Sequence, residues 1–382
     1  MTSSNRWGNV PAIDVINLGA NENDATKDLN IAFVASHDMR HVVKTINSLP
    51  SNLSGNLTIL LNDITTPIAC RNLALLFILG MIPDEALAAD VALHLWYSVF
   101  LPEEYRVQVG LAIAAALDKS RDDSITVPIG KRSTVSWFYP PEAVAYLVNL
   151  APDAEISKLS TPSPNTVEFK ARLLDGTIGI GYDSSDPLEG WDISAVIAAG
   201  KAHGARPEDI YGCIYFYLTE QLRMFAKRLR ELSISFKLYS TEACGLAQAI
   251  KSGRLTELDL PPTVRFNRIE VSNILDAQYV GMDAVLTTWG PLLSDNPFAT
   301  IVGYFLNWPL LEKDGDPTTC EDEDVIDQCI KCVMDRDERR LRVPLRSPPD
   351  ALPEFPDDDN WYDYTNLNKY SWAERFVEFS RK

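Results

Sequence analysis

Asn30-Ile-Ala-Phe-Val-Ala35 runs directly into Ser36-His37-Asp38, and Met39 to Leu49 then carries apolar residues at 39, 42, 43, 46 and 49. A short unbroken apolar run reads as a strand buried on both faces. The spacing that follows it is helical, with Ser36 or Asp38 as the expected N-cap. The turn cluster Pro50-Ser-Asn-Leu-Ser-Gly55 leads to a second apolar run, Leu57-Thr-Ile-Leu-Leu61, which ends in Asn62-Asp63. A helix over Pro67–Leu79, with Pro in its first turn, completes strand–helix–strand–helix. That order predicts an α/β fold built on a parallel sheet.

The same pattern returns downstream. Ile234–Tyr239 reads as a strand followed by a helix over Glu242–Ser252, and Phe266–Val271 as a strand followed by a helix through Thr288. Thr300–Phe305 supplies a fifth strand. Between the two halves the chain reads as helical: 84–119, Pro140–Leu150, Trp191–His203 and Pro207–Leu232, with a polar loop at Arg121–Lys131 and loop at Pro152–Asp186. The expected architecture is a doubly wound, mainly parallel Rossmann-like sheet spanning 30–311, with a large helical insertion at 84–232. An N-terminal arm (1–29), pinned by Ile13, Val15 and Ile16, precedes it, and an acidic Pro-rich tail (312–382) follows.

Composition narrows the function. The chain has 382 residues, 46% apolar and 23% charged, so it can bury a large core. No run of 18 apolar residues occurs, and Met1 is followed by Thr2-Ser3-Ser4-Asn5-Arg6 with no apolar stretch. The expectation is a soluble, cytoplasmic protein without a membrane span or secretory signal. Six Cys make no disulfide scaffold. The net charge of −18 disfavours DNA as a partner. Because 19 acidic and 11 basic residues fall after Leu310, much of that excess belongs to the tail, and a tRNA-sized partner stays open.

In doubly wound sheets ligands bind beyond the carboxyl ends of the strands. Here those ends carry Ser36/His37, Asn62/Asp63, Thr241/Glu242, Ser272/Asn273 and Asn307. Ser36-His37-Asp38-Met39-Arg40-His41 concentrates polar groups at the first such turn: a nucleophile or substrate loop, or equally a capped helix start. It lacks GxGxxG, and no GxxxxGK[ST] occurs, which disfavours NAD, FAD and P-loop chemistry. Asp63 and Glu242 stand where acids bind a ribose, or cap loops and helices. Asp186 and Glu189, beside Trp191, either grip a cation or form a turn before a helix capped by Asp192. Tyr217 and Glu220 share a helix face at i, i+3 and suit proton transfer, or are a core aromatic and an outward acid. Arg223, Lys227, Arg228 and Arg230 form the densest basic stretch, a phosphate-contacting stripe or a solvated face. Cys320, Cys329 and Cys332 lack a fourth ligand for zinc.

Trp7-Gly8-Asn9-Val10-Pro11-Ala12-Ile13-Asp14, Phe33-Val34-Ala35-Ser36, Leu60-Leu61-Asn62-Asp63, Cys70-Arg71-Asn72-Leu73, Asp186–Asp192, Pro207–Gly212 and Val271–Asp276 resemble a fungal domain of unknown function. That domain is shared with the N-terminal part of the dynein axonemal assembly factor family. Within this group the chain is similar to the fungal arginine-containing cyclodipeptide synthases, which use aminoacyl-tRNAs and carry an Asp-Asp-x-x-Glu motif. Here that stretch reads Ser185-Asp186-Pro187-Leu188-Glu189, with Ser in place of the first acid. The resemblance implies a secondary-metabolism transferase that joins arginine, from Arg-tRNA, to a second aminoacyl group. Ser36 would be the acyl acceptor and Tyr217 and Glu220 the proton carriers, while His37, Arg40, Asp63, Asp186, Glu189, Glu242 and Asn273 would bind substrate. It implies no cofactor and no metal, because the ester to tRNA is already activated. The alternatives are a non-catalytic Rossmann-like interaction protein and a divergent S-adenosylmethionine-dependent methyltransferase.

Overall fold

The computed structural model describes residues 10–97, 101–118, 125–138, 187–188, 190–307 and 376–380. In chain order the elements are β1 (Leu29–Phe33), α1 (Arg40–Ser48), β2 (Leu57–Asn62), α2 (Thr66–Met81), α3 (Glu85–Tyr97), α4 (Glu103–Asp118), β3 (Ile125–Pro128) and β4 (Thr134–Phe138). They continue as α5 (Ile193–Ala202), α6 (Ile210–Glu231), β5 (Ile234–Tyr239), α7 (Ala243–Lys251), β6 (Arg268–Glu270), α8 (Met282–Trp289), β7 (Thr300–Tyr304) and β8 (Phe376–Ser380). The sheet order is β3-β4-β5-β2-β1-β6-β7-β8. The pairs β4/β5, β5/β2, β2/β1, β1/β6 and β6/β7 are parallel and β3/β4 is antiparallel. This is the expected mainly parallel Rossmann-like α/β fold.

Strands buried on both faces need helices on both, and the burial follows. In β1, β2 and β5 every residue but one is buried. Helix α2 is buried from Ile68 to Leu79 without a polar face, as an interior helix must be. Its end meets another segment closely: a Cβ at Gly80 would lie 2.6 Å from the Ile129 carbonyl oxygen. Helix α6 packs against α1, α2, α3 and α5, burying Leu218, Leu222, Phe225 and Leu229.

Three expectations are corrected. The segment 84–232 is not wholly helical: Ile125–Pro128, expected in a polar loop, is β3, and β4 carries it into the sheet beside β5. The helix after β6 starts only at Met282, because the intervening residues form turns, with Ser272 at φ +52°. Helix α1 is capped neither by Ser36 nor by Asp38: its N-cap is Met39, with no side-chain cap bond. Asp192 does cap α5, accepting from the amides of Ser194 and Ala195. Of the expected elements, Pro140–Leu150, Pro152–Asp186 and most of the tail lie outside the described residues.

The N-terminal arm is packed down. Val15 and Ile16 are buried, and polar clamps hold the backbone around them. His41 Nδ1 accepts the Ile13 amide at 3.1 Å, Thr45 Oγ1 accepts the Val15 amide at 3.0 Å, and Arg40 donates to the Val10 carbonyl.

The chain divides into two compact units: Met1–Ser272, Ala284–Val302 and Glu378–Lys382 form the first, Asn273–Asp283 and Gly303–Val377 the second. In the second, Asp276 accepts the amides of Leu306 and Asn307 at 2.9 and 3.1 Å. No helix among the described residues is long and apolar enough to cross a membrane.

Candidate functional site

Strand β1 has β2 on one side and β6 on the other. The connections that build the two sides run in opposite directions from it, which makes the carboxyl end of β1 the switch point where a crevice opens. The turn leaving β1 is held from both sides. The Val34 amide donates to the Glu270 carbonyl of β6 at 2.8 Å, and the Ser36 amide donates to the Asn62 carbonyl of β2 at 2.8 Å. Ser36 therefore lies beyond the turn that ends β1, tied to β2 by its amide, and outside helix α1. His37 then takes a left-handed conformation, φ +49°, and its amide donates to Asp63 Oδ2 at 2.9 Å.

Two of the expected substrate residues are occupied by backbone. Asp63 accepts the His37 amide on one carboxylate oxygen and the Thr65 amide on the other, at 2.8 Å. Glu242 caps α7, accepting the amides of Cys244 and Gly245 at 2.8 and 2.6 Å. Asn62 ties strand ends together, donating to Val34 and Thr241 carbonyls and accepting the Thr241 amide.

The charged centre of the crevice is the buried pair Asp38–Arg40, 2.8 Å apart with both side chains at most 3% exposed. Asp38 also accepts the Arg40 amide at 3.0 Å. Two further groups feel this pair. Burial pushes the Glu270 carboxyl up to about 8, with the Ser272 amide and Arg40 opposing and Asp38 reinforcing. Burial also holds the His37 imidazole below its ordinary value, against the pull of Asp38. Both groups are thus largely uncharged at neutral pH. On its far side the turn meets α2, where Asn72 Nδ2 donates to the His37 carbonyl at 3.2 Å and Arg71 to the same oxygen at 3.5 Å. Tyr97 of α3 completes the surroundings. Burial and Asp38 raise its hydroxyl, which accepts from Trp191 Nε1 at 2.9 Å.

Tyr217 is reached through the same aromatic link, its ring edge-on to Trp191 at 5.5 Å, and burial pushes its hydroxyl up to about 12. Glu220, one turn on, points elsewhere: it pairs with His203 of the α5 end at 3.5 Å, both about half exposed. Asn273 belongs to the second unit, and Asp186 and Glu189 lie outside the described residues, as do Cys320, Cys329 and Cys332. In the basic stretch Arg228 donates to the carbonyls of Leu49 and Pro50 beyond α1, and Arg230 to the Ile82 carbonyl beyond α2. These two guanidiniums close helix ends rather than present a phosphate stripe. No group of three His, Cys, Asp or Glu among the described residues could hold a metal ion.

Glu270 is the residue that motif reading passes over. Its signal was available: Arg268 and Glu270 are charges at i, i+2 inside a run expected to be a buried strand, and buried charges there need an explanation. No curated protein and no solved structure matches the chain. Residues 6–101, which carry β1, the Ser36–Arg40 turn, Asp63 and Asn72, match the model of a family described as a domain of unknown function (DUF4470).

Proposed function

We propose that the chain is a group-transfer enzyme acting at the Ser36 turn, in its specific form a cyclodipeptide synthase that takes arginyl-tRNA and a second aminoacyl-tRNA. The observation that supports this is the placement of Ser36: a hydroxyl residue carried past the end of β1 at the switch point, its amide fixed to Asn62, on a turn flanked by Glu270, whose carboxyl burial pushes up to about 8. A weak nucleophile becomes useful when it is fixed and a proton carrier stands nearby.

In this reading Ser36 Oγ attacks the ester carbonyl of arginyl-tRNA. The tRNA 3′-oxygen leaves and takes up the serine proton, and an arginyl ester remains on Ser36. The amine of the second aminoacyl-tRNA attacks that ester and gives a dipeptidyl-tRNA, with the proton returned to Ser36. The free arginyl amine then closes on the second ester, releasing tRNA and the cyclic dipeptide. Tyr217, whose ring meets Trp191, itself bonded to Tyr97, is kept with Glu220 as a proposed proton carrier, and Asp186 and Glu189 remain the proposed guanidinium ligands.

The test is direct. Incubated with radiolabelled arginyl-tRNA, the wild-type protein should retain acid-stable label that mass spectrometry maps to Ser36, and should release an arginine-containing diketopiperazine. Ser36→Ala should lose both. Product from the alanine variant at the wild-type rate rejects the covalent route, and absence of label and product from the wild type rejects the activity.

A second reading, a non-catalytic interaction protein, is favoured by one observation. Asp63 and Glu242, acids at two strand ends, hold backbone amides with both oxygens. The same contacts engage both Asp63 oxygens beyond β2 and weaken the support for a methyltransferase.

A further inference from the structure

Three polar atoms around the turn leaving β1 are buried and hydrogen-bonded to nothing: Glu270 Oε2, His37 Nδ1 and Asn72 Oδ1. Glu270 and Asn72 are each only 1% exposed. They flank one short segment. Asn72 donates to the His37 carbonyl from α2, and Glu270 accepts the Val34 amide with its backbone oxygen from β6. Buried polar atoms without partners are uncommon, and each loses the solvation of a hydrogen bond. Three of them at a topological switch point mark a place built to receive something.

We propose that this turn binds a primary ammonium group, with Glu270 Oε2, His37 Nδ1 and Asn72 Oδ1 as its hydrogen-bond acceptors. The ligand class follows from the atoms. All three can accept, and a primary ammonium brings three N–H donors and no acceptor. A guanidinium fits less well, because its fork needs both oxygens of one carboxylate, and Glu270 Oε1 already accepts the Ser272 amide at 2.7 Å. An anion is disfavoured by the acceptor set. The charged neighbours of Glu270 are Asp38 and Arg40, 2.8 Å apart, which act on it in opposite directions, and its burial favours the neutral acid. The free protein therefore keeps a proton on Glu270, and an arriving ammonium replaces it. Binding at neutral pH releases one proton to solvent.

The inference needs no turnover and does not rest on the proposed activity. Protein that makes no dipeptide can still bind the amine, and protein that makes product but ignores the amine overturns this inference alone. The experiment is isothermal titration calorimetry of the full chain with n-propylammonium, in phosphate and in HEPES, which carry no primary amine and whose ionisation heats differ. Saturable binding is expected, with a heat that differs between buffers by close to one proton per ligand at neutral pH and by none once Glu270 has ionised. Tetramethylammonium, of the same charge but without N–H groups, should not bind. Glu270→Gln should bind at least about tenfold more weakly, as loss of a charge-assisted contact in a desolvated site requires, and should release no proton. Asn72→Ala should weaken binding but keep the proton release. Where Glu270→Gln fails to fold, the two-buffer measurement on the wild type decides by itself. Absence of saturable binding, equal binding of tetramethylammonium, buffer-independent heats at neutral pH, or wild-type affinity in a folded Glu270→Gln variant would each overturn the proposal.

Discussion

Replacing Glu22 by Gln tests how the N-terminal arm is held. Arg268 of β6 reaches Glu22 with two parallel bonds, at 3.1 and 2.9 Å, and both side chains are 1% exposed. The same guanidinium donates to the carbonyls of Ile16 at 3.2 Å and Asn267 at 2.9 Å, and Asn296 donates to Glu22 at 3.2 Å. Glu22→Gln keeps the shape and removes the counter-charge, leaving a guanidinium in the core with neutral acceptors only. Removing one partner of such a pair costs about 3–5 kcal/mol, a large part of the roughly 5–15 kcal/mol that hold a domain folded. Urea denaturation followed by circular dichroism should show the midpoint falling at unchanged slope, and the loss should not shrink in high salt, because a dry pair is poorly screened. The double change Glu22→Leu with Arg268→Met should recover part of the loss. Recovery should be incomplete, since the Ile16 and Asn267 carbonyls each lose a donor and keep, among the described residues, only the Asn21 side chain and the Thr300 amide. A Glu22→Gln loss below about 1 kcal/mol, the range of exposed pairs, or one that vanishes in salt, would refute the reasoning.

Glu270 gives the fold a pH dependence. Its carboxyl is raised from 4.5 to about 8, so its stabilising proton is fully in place below about 4.5 and lost as pH rises through 8. His41, lowered to about 3 by burial, and His37, lowered in the same direction, act oppositely below 6.5, so the Glu270 trend stands alone only above that pH. From pH 6.5 to 8 wild-type stability should therefore fall by about 2 kcal/mol, and Glu270→Gln should flatten that slope. Urea titrations at a series of pH values measure it, and an unchanged slope in the variant rejects the assignment. Gly200→Ala should destabilise strongly, because a Cβ there meets the Cys213 side chain where α5 and α6 touch; overpacking of this kind costs about 1–3 kcal/mol. Iodoacetamide at pH 8, read by peptide mass spectrometry, should label half-buried Cys244 in the native protein, while Cys213 and Cys70 stay unlabelled until unfolding. Burial pushes the Cys70 thiol up to about 12.

What could be read from the residues, and what could not, divides along physical lines. The run from Asn30 to Leu79 was legible because each element announces itself locally: an unbroken apolar run, then a 3.6-residue period, then a turn cluster. Gly55 closes that cluster because a Cβ there would collide with the Lys27 carbonyl. Strands β3 and β4 were not legible. The four residues of β3 follow Arg121-Asp-Asp-Ser124, and their place is set by pairing with β4 and by β4's contact with β5, which no local pattern carries. The late start of α8 is hidden for a related reason. Ser272 adopts φ +52°, a conformation that a glycine would have advertised and a serine does not. Ser36 and Asp38 were natural N-cap candidates by residue type, yet a turn follows β1, the Ser36 amide is tied to the Asn62 carbonyl, and the helix starts only at Arg40.

The site shows the same limit more sharply, in two acids that look alike on paper. Asp63 and Glu270 each close a parallel strand, and each accepts the amide two residues on, Thr65 in one case and Ser272 in the other. Their second oxygens part company because of the ladder. Beyond β2 the neighbouring turn presents the His37 amide, freed from the ladder by its left-handed conformation, and Asp63 takes it. Beside Glu270 the corresponding amides already have partners: Val34 donates to the backbone oxygen of Glu270 itself, and Val271 to the Val302 carbonyl. Neither of these two amides is open to Glu270 Oε2, and its burial favours the neutral acid. The acid expected to meet a ligand is thereby a structural clip, and the acid hidden in a strand is the one with an oxygen to offer. Moving the open oxygen is a test of this account. In Glu270→Asp the shorter side chain can still reach the Ser272 amide but withdraws the second oxygen by about one methylene. That variant should keep the turn and its stability to within about 1–1.5 kcal/mol, yet lose proton release on amine binding. If it instead loses the turn and keeps the proton release, the register does not decide which acid is open.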